Sequence, residues 1–111
     1  MTNGEQTDVV SVYVTFPAGF AADDVVRDVV SEKLAACGNI VSGVTSIYRW
    51  EGRIERDPET IAILKTTADR AEALVNRLRE AHPFEVPCIV AWPVSGGFPP
   101  YLDWVREETR G

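Results

Sequence analysis

At 111 residues, with 45% hydrophobic and 25% charged side chains, the chain has the size and balance of one globular domain that can fold without disulfides or metal. A formal net charge of −6 argues against the lysine- and arginine-rich surface of a nucleic-acid binder, and no run approaches the roughly 20 continuous apolar residues of a membrane helix. The opening MTNGEQTDVV has neither the basic start nor the apolar stretch of a secretory signal, so a cytoplasmic protein with two free thiols, Cys37 and Cys88, is expected.

Residues 1–7 read as a tail and residues 8–111 as a single domain. Residues 8–17 alternate, with Val10, Val12, Val14 and Phe16 on one side, and predict a first strand ending at Pro17. FAADDVVRDVVSEKLAACG follows with Val25, Val26, Val29, Val30 and Leu34 at helical spacing and Gly38 as the expected C-cap. Residues 40–50 and 53–66 are extended runs joined by Glu51-Gly52, a hairpin signal weaker than Asn-Gly that leaves room for a longer loop. ADRAEALVNRLREA gives a second helix with Ala71, Leu74, Val75 and Leu78 on one face. PCIVAWPV is a short apolar strand, and GGFPPYLDWVREETRG predicts a last helix carrying Tyr101, Leu102, Trp104 and Val105.

The order βαββαβ plus a helix predicts an α+β ferredoxin-like sandwich, one antiparallel sheet with both crossover helices on one face. Strands usually run about 5 to 6 residues, so this hairpin is too long for so small a body. With a two-residue loop Trp50 faces Arg53 and Tyr48 faces Glu55, which puts Ile40, Val44, Tyr48 and Trp50 on one face with Ile61 and Ile63, and Val41, Ile47, Ile54 and Ala62 on the other. Two helices cover only one face, so the other is expected to pack against further copies of the chain. Pro58 is expected at an edge or bulge, and Glu55, Asp57 and Glu59 form an acidic strip beside Tyr48 and Trp50, readable as a cation site or as a solvated face. In REAHPFEVPCIV, Pro83 ends the second helix, Pro87 enters an edge strand and Cys88 reads as a small buried strand thiol.

EKLAAC, NI, TSIYRWEG, ILKTT, HPFEVP and PVSGGFPPYLDW occur in order between residues 32 and 104, and together they resemble the CutA divalent-cation tolerance family, a resemblance that covers about residues 9 to 106. The resemblance implies a PII-like homotrimer, a cytoplasmic role in tolerance of copper and other divalent metals, and no settled enzymatic activity. It also implies that Tyr48, Trp50, Glu51 and Lys65 gather near clefts between subunits, with Tyr101 and Trp104 closing over them. Cys88 stands where many relatives carry glutamate, and Phe84 where many carry tyrosine, which removes a carboxylate and a phenol from that segment.

A structural zinc site needs about four ligands, whereas the chain has one histidine and no close cysteine pair, and the expected sheet order puts Cys37 and Cys88 at opposite edges. His82 and Cys37 are the candidate ligands of a site shared across a trimer, with weak copper or other divalent-metal binding expected and no cofactor required. Lys65 among Ile61, Ile63 and Leu64 is either a snorkelling lysine or a contact for a small anionic ligand. No P-loop, dinucleotide fingerprint, nucleophile elbow or HExxH motif occurs. The expected function is a non-enzymatic cation-tolerance module, the alternatives being a PII-like sensor of an anionic metabolite and an enzyme using His82.

Overall fold

The structure is a computed structural model and describes residues 7–111. Its elements are β1 (Val9–Pro17), α1 (Ala22–Ser31), β2 (Cys37–Trp50), β3 (Arg53–Thr67), α2 (Ala68–Ala81), β4 (Ile89–Pro93) and α3 (Pro99–Glu108). The sheet order is β2-β3-β1-β4, antiparallel throughout, which is the ferredoxin-like arrangement expected of the pattern.

Residues directly opposite in a ladder share a face, so the register sorts the side chains. Val12, Val14, Phe16, Ala62 and Leu64 lie on the face that α1 and α2 cover, and there they meet Val25, Val26, Val29, Leu74 and Leu78. Phe16, Leu64, Leu74 and Leu78 are fully buried, each contributing roughly 1.5–3 kcal/mol. On the opposite face α3 covers only one end, where Leu102 and Val105 pack on Val9 and Ala36. The rest of that face is open, exposing Val41, Tyr48, Trp50, Val90 and Trp92.

The hairpin differs in detail from the sequence expectation. Its loop is the two-residue one: Glu51 and Gly52 both take positive φ (50° and 80°), the type I′ geometry, and glutamate accepts the cost that asparagine would avoid. In β2 the register slips between Val41 and Val44, where Ser42 and Gly43 oppose the single Thr60, and Gly43 takes φ 76°. One extra residue reverses the alternation. Ile40 therefore lies opposite Ala62 on the helix side and Val41 opposite Ile61 on the open side, the reverse of the expected sorting. Pro58 is not at that bulge; its carbonyl accepts the Ala18 N–H at 3.2 Å just where β1 ends, so its missing N–H falls beyond the β1 ladder.

α1 stops earlier than expected. Lys33 takes φ 62°, Leu34 N–H bonds to the Val29 carbonyl and Lys33 N–H to the Val30 carbonyl, both at 3.0 Å, so a left-handed lysine makes the cap expected of Gly38. Gly38 is instead a β2 residue against which α1 packs: a Cβ there would sit 2.6 Å from Val26 Cγ1. Residues 1–6 of the expected tail lie outside the described residues, while Thr7 is held by bonds from its N–H and hydroxyl to the Val94 carbonyl, at 3.1 and 2.7 Å.

Gly38→Ala is expected to destabilise the fold by about 1–3 kcal/mol in denaturant unfolding, and Val26→Ala in the same chain to cost less than the two changes summed. Glu51→Asn should raise stability by a few tenths to about 1 kcal/mol in the same assay, because asparagine tolerates the left-handed turn position.

Candidate functional site

The open sheet face forms a groove of about 630 Å³ between the hairpin and the segment after α2. β2 and β3 supply Ser46, Tyr48, Trp50 and Glu59, β1 supplies Tyr13 and Thr15, and Phe84 to Val86 with Cys88 form the facing wall. The acidic strip is internally satisfied in part: the Tyr48 hydroxyl donates to Asp57 and the Ser46 hydroxyl to Glu59. The bond to Asp57, then burial, then the charges of Asp57, Glu55 and Glu59 push the Tyr48 phenol up to about 12. Glu51 is exposed at the hairpin tip. Cys88 is exposed in the groove rather than buried, and it precedes β4 instead of opening it.

A second group lies at the other end of the hairpin. Cys37 is opposite Lys65, and the Cys37 thiol is 3.3 Å from the Tyr101 hydroxyl, whose ring packs on Trp104 at 5.7 Å. Burial, then the bond to Cys37, pushes the Tyr101 phenol up to about 12. Lys65 is half-buried, and among the described residues no carboxylate forms an ion pair with it. Tyr48 pairs with Glu55, ten residues before Lys65 on β3, so within one chain the two groups stand about 33 Å apart along that strand.

His82 belongs to neither group. Its ring is buried, stacked on Phe16 at 5.0 Å, and both nitrogens are engaged: Nε2 donates to the Thr15 carbonyl at 2.6 Å and Nδ1 accepts the Phe84 N–H at 3.1 Å. A backbone carbonyl only accepts and an N–H only donates, so the ring is the neutral Nε2–H tautomer, with no free lone pair for a metal and none for a general base. The expected ligand pair therefore does not form within the chain, Cys37 bonding to Tyr101 and His82 to backbone. Among the described residues no three His, Cys, Asp or Glu side chains come together as a metal group.

Tyr13, Thr15 and Phe84 are groove residues that sequence reading missed. The signal was the odd-numbered half of β1: once its even residues are assigned to the helices, Tyr13 must face the open side beside Ile63 and Val90.

Both raised phenols hold their protons more tightly folded than in the unfolded chain, whose tyrosines titrate near 10.0. The stability they contribute is complete below pH 10 and declines as pH rises toward 12. Denaturant midpoints should fall across that window while tyrosinate absorbance lags the unfolded chain, and Tyr48→Phe should flatten part of the fall.

The CutA1 divalent ion tolerance protein family model matches residues 10–108. The divalent-cation tolerance protein CutA of Thermus thermophilus is 45% identical over 98 residues, covering 88% of this chain and 95% of its own. Protein CutA of Homo sapiens is 43% identical over 102 residues, 92% of this chain and 57% of its own, and the chain spans 54% to 64% of the Xenopus, mouse and Arabidopsis relatives it matches. The crystal structure of CutA from Xylella fastidiosa superposes with a TM-score of 0.90 at 38% identity, covering 94% of this chain and all of that one, and the Thermus thermophilus structure with 0.88 at 43%, covering 92% and 99%. With the family model matched over residues 10–108 and a relative 45% identical over nearly its whole length, the chain belongs to the CutA family of divalent-ion tolerance proteins.

Proposed function

We propose that this chain serves divalent-cation tolerance as a non-enzymatic binding or sensing module, assembled as a homotrimer whose clefts join the hairpin groove of one copy to the Lys65–Tyr101 end of the next. The carrying observation is the separation of about 33 Å between Tyr48 with Trp50 and Cys37 with Lys65 along one strand. A head-to-tail ring brings opposite ends of neighbouring copies together and covers the open apolar face. The ligand is copper or another divalent metal, bound weakly without a resident cofactor, with Cys37 as the soft donor. A non-enzymatic role agrees with His82 having both nitrogens tied to backbone. Two free thiols, one in β2 and one just before β4 at the opposite side of the sheet, suit the reducing cytoplasm, although the family protein from Archaeoglobus fulgidus is described as periplasmic. Among the described residues no helix is long and apolar enough to cross a membrane.

One observation favours a second reading. The half-buried Lys65 ammonium has no carboxylate partner among the described residues, so a small anionic metabolite could supply its counter-charge in the manner of a PII sensor. Light scattering should give three chain masses, and a stable monomer would remove the clefts and both readings with them. Calorimetry then separates the two. Copper binding is expected to weaken about tenfold or more in Cys37→Ser and to survive Lys65→Ala, whereas binding of nucleotides or organic acids would show the reverse dependence.

A further inference from the structure

We infer that His82 is an acid-operated latch on residues 83–87, the wall of the groove. The segment PFEVP has no regular secondary structure, and its two prolines leave three N–H groups, of Phe84, Glu85 and Val86. Among the hydrogen bonds of the described residues, the one made by this segment is Phe84 N–H to His82 Nδ1 at 3.1 Å. The next anchor is already outside it, where the Cys88 carbonyl accepts the Thr15 N–H at 3.2 Å. A wall supplying Phe84, Glu85 and Val86 to the groove therefore has one hydrogen bond, to a titratable ring, beside the tilted contact of the Phe84 ring on His82 at 5.2 Å.

Protonation reverses that bond. The second proton of imidazole has only Nδ1 to occupy, and an Nδ1–H pointing at the Phe84 N–H sets donor against donor. The ring itself is held elsewhere: Nε2–H to the Thr15 carbonyl strengthens when the ring is charged, and the stack on Phe16, with Phe20 at 6.4 Å, keeps the plane in place. The segment is the partner that yields. No charged side chain of the surrounding elements bonds to the ring. Arg79 and Glu80 at the end of α2, Glu85 in the segment, and Asp23 and Asp24 in the first turn of α1 are all exposed, and β1 and β4 carry no charged residues. Protonation of this one ring is thus the event that releases the wall and reshapes the groove, whichever ligand it serves.

The test is heteronuclear NMR on the full-length, isotope-labelled chain at pH 8 and pH 5. At pH 8 long-range ring correlations should show the Nε2–H tautomer and a protected Phe84 amide. At pH 5 the ring should be doubly protonated, and Phe84 amide protection, corrected for intrinsic exchange, should fall about tenfold or more while β1 amides keep theirs. Phe84→Ala, which keeps the N–H, should retain the pH dependence. His82→Gln, checked for folding by circular dichroism, should abolish it. A ring that stays neutral at pH 5, a Phe84 amide indifferent to ring protonation, or an equal loss of protection in His82→Gln would each overturn the latch.

Discussion

The structure depends on β3 being one unbroken strand of fifteen residues against which every other register is set. Its residues pair with β1 from Glu59 to Thr67 and with β2 from Arg53 to Lys65, so the first half has a partner on one side only and projects from the body. Period-two alternation along an uninterrupted strand keeps Arg53, Glu55, Asp57, Glu59, Ile61, Ile63 and Lys65 on one face. That face holds both groups of candidate residues, with α3 over one end of it, and α1 and α2 lie on the other.

The bulge in β2 matters because β3 does not share it. Ser42 and Gly43 absorb one residue, so the tip half and the root half of β2 present opposite parities to a strand that never changes its own. Val41 joins the open face beside Ile61, and Ile40 turns to the side that α1 and α2 occupy. Two residues thus exchange environments through a glycine at positive φ, a local backbone choice with an effect on which surface is available for assembly.

Polar groups that look available for chemistry are mostly already used. Asp57 and Glu59 accept hydroxyl bonds from Tyr48 and Ser46, and His82 bridges two backbone groups inside an aromatic stack. For the buried His82 ring, leaving either backbone partner unmet would cost about 1–3 kcal/mol, so the fold satisfies it internally before any ligand arrives. Lys65 stands apart, half-buried and without a carboxylate among the described residues, opposite Cys37, whose thiol meets the Tyr101 hydroxyl.

The element order, the helix over residues 68–81, the sheet topology and the pairing of Trp50 with Arg53 were legible in the sequence, because they follow from hydrophobic period and turn length. So was the family, through motifs spread along the whole domain. What tertiary structure alone decided was the helix stop at a left-handed Lys33, the bulge at Gly43, the exposure of Cys88 and the two bonds that occupy His82. Those outcomes depend on which backbone groups come close in space after folding. Periodicity records which face a residue takes within its own element; it carries no information about the carbonyl of Thr15 waiting for an imidazole sixty-seven residues away.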